Sequence, residues 1–497
     1  MAQLINNSLN QDNSSDRSRW TALVVLCVGM LMIVLDATIV NVALPSIQDD
    51  LGFSQSSLAW VVNAYLIAFG GLLLLAGRLG DLVGRRDVFL AGLVLFTAAS
   101  LVCGLAQSET MLIGARFVQG VGGAMTSAVI LGMIVTMFPE PGEQAKAIGV
   151  YSFVASAGGS VGLLLGGVLT ETISWHWIFF VNLPIAIVTG VFALRLLGRD
   201  RGVGVSQGAD VPGALLIVGA LMVGVYAIVE ASTYGWGSLH TLGFGAGSVA
   251  LLAAFVGREA TAGHPLVPLG IFRSRNLSGA NAIQALMVAG MFGLFFLGAL
   301  YLQRVLGFDS LEVGLGFLPA TVIIGVLSLG FSAKLNMRFG PRAVLLPGLA
   351  LIAAGLALMS QVSAGGSYWS EVLPTMVLMG TGAGLSFPSI MMLAMGGVRP
   401  EEAGLASGLV NTTMQVGGAV GLAVLATLAT NRTGNLLAGG DSSVEALSGG
   451  YRLAFVVGSG LVVAAIAIAA LVLRPAAVQE APAEEELGEP AFSSEAI

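Results

Sequence analysis

Charge is scarce in this chain. Only 10% of its 497 residues are Asp, Glu, Lys or Arg, against 56% apolar residues, and mean hydropathy is +0.89. A soluble protein of this size needs far more polar surface to stay dispersed, which argues against a large soluble enzyme. Lysine is nearly missing: Lys146 and Lys334 are the two present, and neither follows a glycine. ATP hydrolysis through a Gly-x4-Gly-Lys-Ser/Thr phosphate loop is thereby excluded. The two cysteines, Cys27 and Cys103, lie inside apolar runs with neither a disulfide framework nor metal spacing, and read as small packing residues. The three histidines, His176, His240 and His264, fall in or near loops. No metal and no cofactor is expected, and no nucleophile-base signature suggests an enzyme. A basic stripe of the kind that binds nucleic acid is also missing. The first 19 residues are polar, and the apolar stretch after them is too long for a signal-peptide core and has no small-residue cleavage site.

What the chain has in abundance is long apolar runs. A bilayer core of ~30 Å takes roughly 20 apolar residues per helix. Fourteen windows qualify: 21–44, 57–77, 87–106, 110–138, 145–169, 176–196, 211–230, 241–257, 277–303, 313–333, 343–360, 371–394, 403–430 and 451–473. Spans this closely spaced must be helices, because lipid offers no partner to open backbone groups. The expected class is an all-α integral membrane protein. The tail, 475–497, is rich in Ala, Pro and Glu without Lys or Arg and is expected to be disordered.

Basic residues set the orientation. With both termini cytoplasmic, inner segments hold 17 of the 21 Lys and Arg residues, as the positive-inside rule requires. Trp60, Trp175, Trp177, Trp236 and Trp369 then fall near outer boundaries and Trp20 at an inner one, the places expected of interfacial aromatics.

Two stretches recur. Arg78-Leu-Gly-Asp-Leu-Val-Gly-Arg-Arg86 is echoed by Lys334-Leu-Asn-Met-Arg-Phe-Gly-Pro-Arg342, and Gly158-Gly-Ser-Val-Gly-Leu163 by Gly417-Gly-Ala-Val-Gly-Leu422. The offsets, 256 and 259 residues, nearly agree and equal eight spans. A duplicated six-helix unit with two helices inserted between the copies explains both matches. The expected organisation is a polar N-terminus (1–19), a six-helix bundle (20–200), an inserted pair with linkers (201–275), a second bundle (276–474) and the tail. Paired halves of this kind place a substrate site at their interface in many secondary transporters.

These residues resemble a known family. Gly77 to Arg86 resembles the loop signature of the major facilitator superfamily, and Leu35-Asp36-Ala-Thr-Ile-Val-Asn41-Val-Ala-Leu-Pro45 that of its 14-helix drug:proton antiporters, the EmrB/QacA type. Arg116-Phe-Val-Gln119-Gly-Val-Gly122 resembles the signature tied to proton coupling. Gly158 to Gly167 resembles the antiporter motif, and Ser174 to Asn182 follows it as in actinobacterial antibiotic exporters. The resemblance covers nearly the whole chain and implies a major facilitator fold with fourteen helices in a bacterial inner membrane. It departs from the pattern at Leu163, where the motif has Pro; at Met337, opposite Asp81; at His176, in place of Arg; and in the tenth span, which carries no acid. That last departure points to neutral or singly charged substrates.

Asp36 and Arg116 are the clearest ionisable groups inside spans. At ~1.5 Å per residue they lie roughly 12 and 9 Å from the outer ends of their helices, so they share a depth. Buried carboxylates in membranes are costly, and a guanidinium nearby changes their affinity for protons. Either Asp36 carries the coupled proton with Arg116 tuning it, or the pair only holds spans 1 and 4 together. Asp36, Asn41 and Gln119 are candidate cavity residues. Asp81, Arg85 and Arg86 form either a latch between the bundles or ordinary topology-setting charge. Gly158, Gly162, Gly166 and Gly167 form a small-residue stripe that permits close helix approach. The expected function is proton-driven export of amphipathic drugs or antibiotics by a monomer in the lipid bilayer; a substrate-specific metabolite, siderophore or lipid exporter of the same fold is the alternative.

Overall fold

The structure, a computed structural model, describes residues 2–54, 56–200, 202, 204, 208–396 and 403–473. The acidic tail lies outside the described residues. Among the described residues every regular element is helical. The first half comprises α1 (Ala2–Leu51), α2 (Trp60–Val83), α3 (Arg85–Gly104), α4 (Glu109–Met137), α5 (Pro141–Thr172), the single turn α6 (Trp177–Phe180) and α7 (Asn182–Leu196). An inserted pair follows, α8 (Val211–Tyr234) and α9 (Leu239–Thr261). The second half holds α10 (Arg275–Arg304), α11 (Ser310–Val326), a π turn leading into α12 (Ser332–Phe339), α13 (Pro341–Met359), α14 (Leu373–Met395), α15 (Ala403–Ala438) and α16 (Ser443–Leu471). Twelve of the expected spans fall on helices long and apolar enough to cross a bilayer, α6 and α7 together making one. The other two fall on α5, 32 residues long, and on α11 continued into α12.

Helix ends follow local chemistry. Ser108, Asp210, Ser238, Ser274 and Asp309 each cap the following helix by accepting from a backbone N–H two or three residues on. The α2–α3 and α12–α13 corners turn on Gly84 (φ +115°) and Gly340 (φ +84°), the same residue of the two loop copies. At Gly84 a Cβ would also sit 2.8 Å from the Asp200 carbonyl oxygen, so the corner tolerates glycine only.

Helices at matching places in the two halves pack alike. α5 lies along α1 and α15 along α10. Arg86 Nη2 donates to the Leu194 carbonyl on α7 at 2.7 Å, and Arg342 Nη2 to the Ala470 carbonyl on α16 at 2.5 Å. The last arginine of each loop copy thus ties its helix to the last turn of its own half. The halves meet along two seams, α2 with α15 and α5 with α11, which exchange under the repeat. α8 rests on both α2 and α15. One end of the molecule, here the near end, gathers Arg19 of α1, the α4–α5 corner and both loop copies; the far end carries the C-terminus of α1 and of α10.

Two tryptophans depart from the interfacial expectation. Trp60 and Trp175 are buried, Trp175 because its Nε1–H donates to Asp50 Oδ2 at 2.9 Å and gives its polar edge an internal partner.

Candidate functional site

Counting residues put Asp36 and Arg116 at one depth, and in the structure Arg116 Nη1 lies 2.6 Å from Asp36 Oδ2, both side chains wholly buried. The pair sits inside the first half, where α1, α3, α4 and the start of α7 converge. Gln119, one turn beyond Arg116 on α4, accepts from Arg116 Nη1 at 2.6 Å and donates to Asp36 Oδ1 and Ser100 Oγ at 2.7 Å each. Asn182 Nδ2 adds a third donor to the carboxylate at 2.9 Å. Arg116 Nε donates to the Val61 carbonyl at 2.9 Å, which fixes the plane of the guanidinium. Its remaining face stacks on Tyr65, 4.3 Å from the ring centroid. Among the described residues Arg116 Nη2, Asn182 Oδ1 and Tyr65 Oη have no hydrogen-bond partner, so the network keeps spare hydrogen-bonding capacity in a place where unpaired groups are costly. Ser100, Asn182 and Tyr65 had no role in the sequence reading. Their signal was available: a small polar residue within an apolar run needs an internal partner.

A cavity of about 710 Å³ opens between the halves toward the near end. Met30, Phe69, Leu73, Ser127 and Tyr151 line it from the first half, and Ser407, Asn411, Met414 and Gln415 of α15 from the second. Asp36, Asn41 and Gln119 are not among its lining residues. Asp36 and Gln119 are enclosed in the bundle, and the Asn41 amide turns back to the carbonyls of Ala37 and Thr38 on its own helix, at 3.4 and 3.3 Å. The network still reaches the cavity through aromatic rings: Tyr65, under the guanidinium, stacks on Phe69 at 5.7 Å, and Phe69 forms part of the wall.

Asp81, Arg78 and Arg85 stand at the cavity mouth. Arg85 pairs with Asp81 at 3.1 Å, donates through its guanidinium to the Gly132 carbonyl and Thr136, and donates its backbone N–H to Asp200 Oδ2. The described partners of Asp81, Arg85 and Arg86 all belong to the first half.

The α5 glycines divide between two neighbours. Gly158, Gly162 and Gly166 face α1; a Cβ on Gly162 would meet the Leu35 carbonyl oxygen at 3.0 Å, and one on Gly166 the Ile39 carbonyl oxygen at 2.7 Å. Gly167 lies off that stripe, against the Ser310 carbonyl oxygen on α11, where Gly314 returns the close approach toward Leu163. The polar contacts described between the halves lie at the far end: Gln303 Nε2 donates to the Val42 carbonyl at 3.1 Å, and Arg304 forms an ion pair with Asp49. Among the described residues no group of three His, Cys, Asp or Glu side chains is placed to hold a metal.

Residues 26–422 match the Major Facilitator Superfamily. A puromycin resistance protein of Streptomyces alboniger is 41% identical over 94% of each chain. A cephamycin export protein of Amycolatopsis lactamdurans is 38% identical over 93% of this chain and 94% of its own. A lincomycin resistance protein of Streptomyces lincolnensis is 34% identical over 95% and 94%. Among solved structures, an auto-inhibited POT family peptide transporter superposes with a TM-score of 0.67 at 14% identity, over 93% of this chain and 99% of its own. A bacterial homolog of the human lysosomal transporter Spinster gives 0.64 at 16%, over 92% and 97%.

Proposed function

The chain belongs to the Major Facilitator Superfamily, and from that premise we propose that it exports amphipathic antibiotics or drugs in exchange for protons, by alternating access, as a monomer. It is a multi-pass membrane transporter and not an enzyme. Three full-length relatives are named for antibiotic resistance or export, which supports an antibiotic as cargo. The observation that carries the mechanism is the wholly buried Asp36–Arg116 pair and its link through Tyr65 and Phe69 to the cavity wall.

The arrangement of the seams supports a cycle. With the near end facing the cytoplasm of a bacterial inner membrane, the open cavity admits cargo from inside while Gly167–Gly314 packing and the Arg304–Asp49 pair keep the far end shut. Met30 and Met414 offer adaptable apolar surface, and Ser127, Asn411 and Gln415 offer hydrogen bonds without a fixed charge, which suits neutral or singly charged amphipaths. Cargo pressing on Phe69 moves Tyr65 and, through it, the guanidinium paired with Asp36. Opening the far end, roughly 12 Å from Asp36 along α1, lets a proton reach the carboxylate; near-end opening releases it. As the mouth closes, Asp81 approaches the N-terminal end of α15, where the helix dipole favours a carboxylate. Asp81, Arg85 and Arg86 then latch that state.

Asp36→Asn tests the reading. The amide keeps the shape of the site and loses the titratable group. Proton-driven uptake of cargo into inverted vesicles is expected to fall more than tenfold while cargo still binds; a variant that takes up cargo and alkalinises the acid lumen like the parent would falsify the proton-carrier role.

A further inference from the structure

The inserted pair interrupts the duplication, yet its near-end linkers form part of the cavity wall. α8 packs on α2 and on α15, with Val218 set against Gly71, while α9 packs on α8 and buries few of its residues fully. At the near end both linkers fold inward. The Gly208 carbonyl accepts from Arg78 Nε at 3.4 Å, and with φ at +72° Gly208 leaves its Cβ side to His264. His264, Pro265, Leu266 and Pro268 line the cavity beside Asp81.

Two carboxylates, each only 3% exposed, hold this linker in place. Asp210 caps α8 and accepts from Arg258 Nε at 3.0 Å. Glu259 Oε2 accepts from the Val267 N–H at 2.8 Å. Buried carboxylates near a membrane are retained against a high cost; Asp210 ties the end of α9 to the start of α8, while Glu259 acts on the backbone that carries Leu266. Pro265 and Pro268 bracket it and fix their own φ, so the wall is pre-formed.

We infer that the linker over 263–268 is a specificity-determining wall of the substrate cavity, meeting the ring bodies of exported amphipaths with the His264 imidazole and the Leu266 side chain. Glu259 and Asp210 are positioning residues. The inference rests on the export reading above and assigns the inserted pair a direct part in selecting cargo.

Both natural cysteines are buried, so Leu266→Cys introduces the accessible thiol. Inverted vesicles carrying it are labelled with a membrane-impermeant maleimide, with and without rhodamine 6G, ethidium or puromycin, and the parent is assayed for export of each. Exported compounds are expected to slow labelling at least about tenfold. In parallel, His264→Ala and Leu266→Ala are expected to change the rhodamine 6G to ethidium efflux ratio by about tenfold, the scale of one reshaped apolar contact. Export by the parent with unprotected labelling, or an equal fall for all compounds, overturns the inference and leaves export standing. A parent that exports none of the three overturns both.

Discussion

Asp36 receives hydrogen bonds from three side chains, Arg116, Gln119 and Asn182, and none of these groups can turn to water. A buried ion pair gains stability only when its remaining lone pairs and protons are matched, and Gln119 does most of that matching because it accepts from the cation and donates to the anion. Gln119→Leu removes both services at nearly constant volume. Each polar group left without a partner costs about 1–3 kcal/mol, so thermal unfolding in detergent is expected to come at lower temperature and efflux to drop more than tenfold. Unchanged efflux in that variant would mean the network is scaffolding only. Residue counting along two helices was enough to set Asp36 and Arg116 at one depth. It was silent on Asn182 and Ser100, because their approach depends on how α3 and the α6–α7 corner fold back onto α1.

Glycine spacing on α5 identifies a surface for close packing, but helical periodicity alone assigns neighbouring positions to one stripe. The structure separates them: Gly158, Gly162 and Gly166 meet α1 within one half, whereas Gly167 meets α11 across the seam. The two groups carry different consequences. A Cβ on Gly167 would lie 2.7 Å from the Ser310 carbonyl oxygen, closer than the packed interface allows, so Gly167→Ala is expected to weaken the far-end closure. Thiol labelling of a cysteine placed at Leu311, from the far side, is expected to speed up several-fold. Gly149→Ala on the same helix, where a Cβ meets open space, is the control and leaves the rate unchanged. If the two alanines behave alike, the α5–α11 contact has no part in access. Leu163, where the resemblance expected proline, is buried with its carbonyl against Gly314, and α5 runs without a break from Pro141 to Thr172.

On the scale of the whole molecule, access is a balance between contacts at the two ends. The far end holds Gln303–Val42 and the Arg304–Asp49 pair, while the near end holds the cavity. Part-exposed pairs contribute about 0.2–1 kcal/mol, so Asp49→Asn is expected to raise far-open exposure roughly two- to fivefold, read as labelling from the far side. The exchange Asp49→Arg with Arg304→Asp is expected to restore the original rate; failure to restore it would place the effect outside the pair. The long, closely spaced apolar runs determined that the chain is an all-helical membrane protein, because a continuous apolar run in hydrocarbon pairs its own backbone polar groups only as a helix. The two nearly equal offsets pointed to related halves. Only the tertiary structure decided which polar residues close around Asp36, that Asp81, Arg85 and Arg86 bond within their own half, and that the linkers of the inserted pair wall the cavity. Those features depend on contacts between helices distant in the chain, and apolar periodicity records which residues prefer lipid or protein without recording which neighbour they meet.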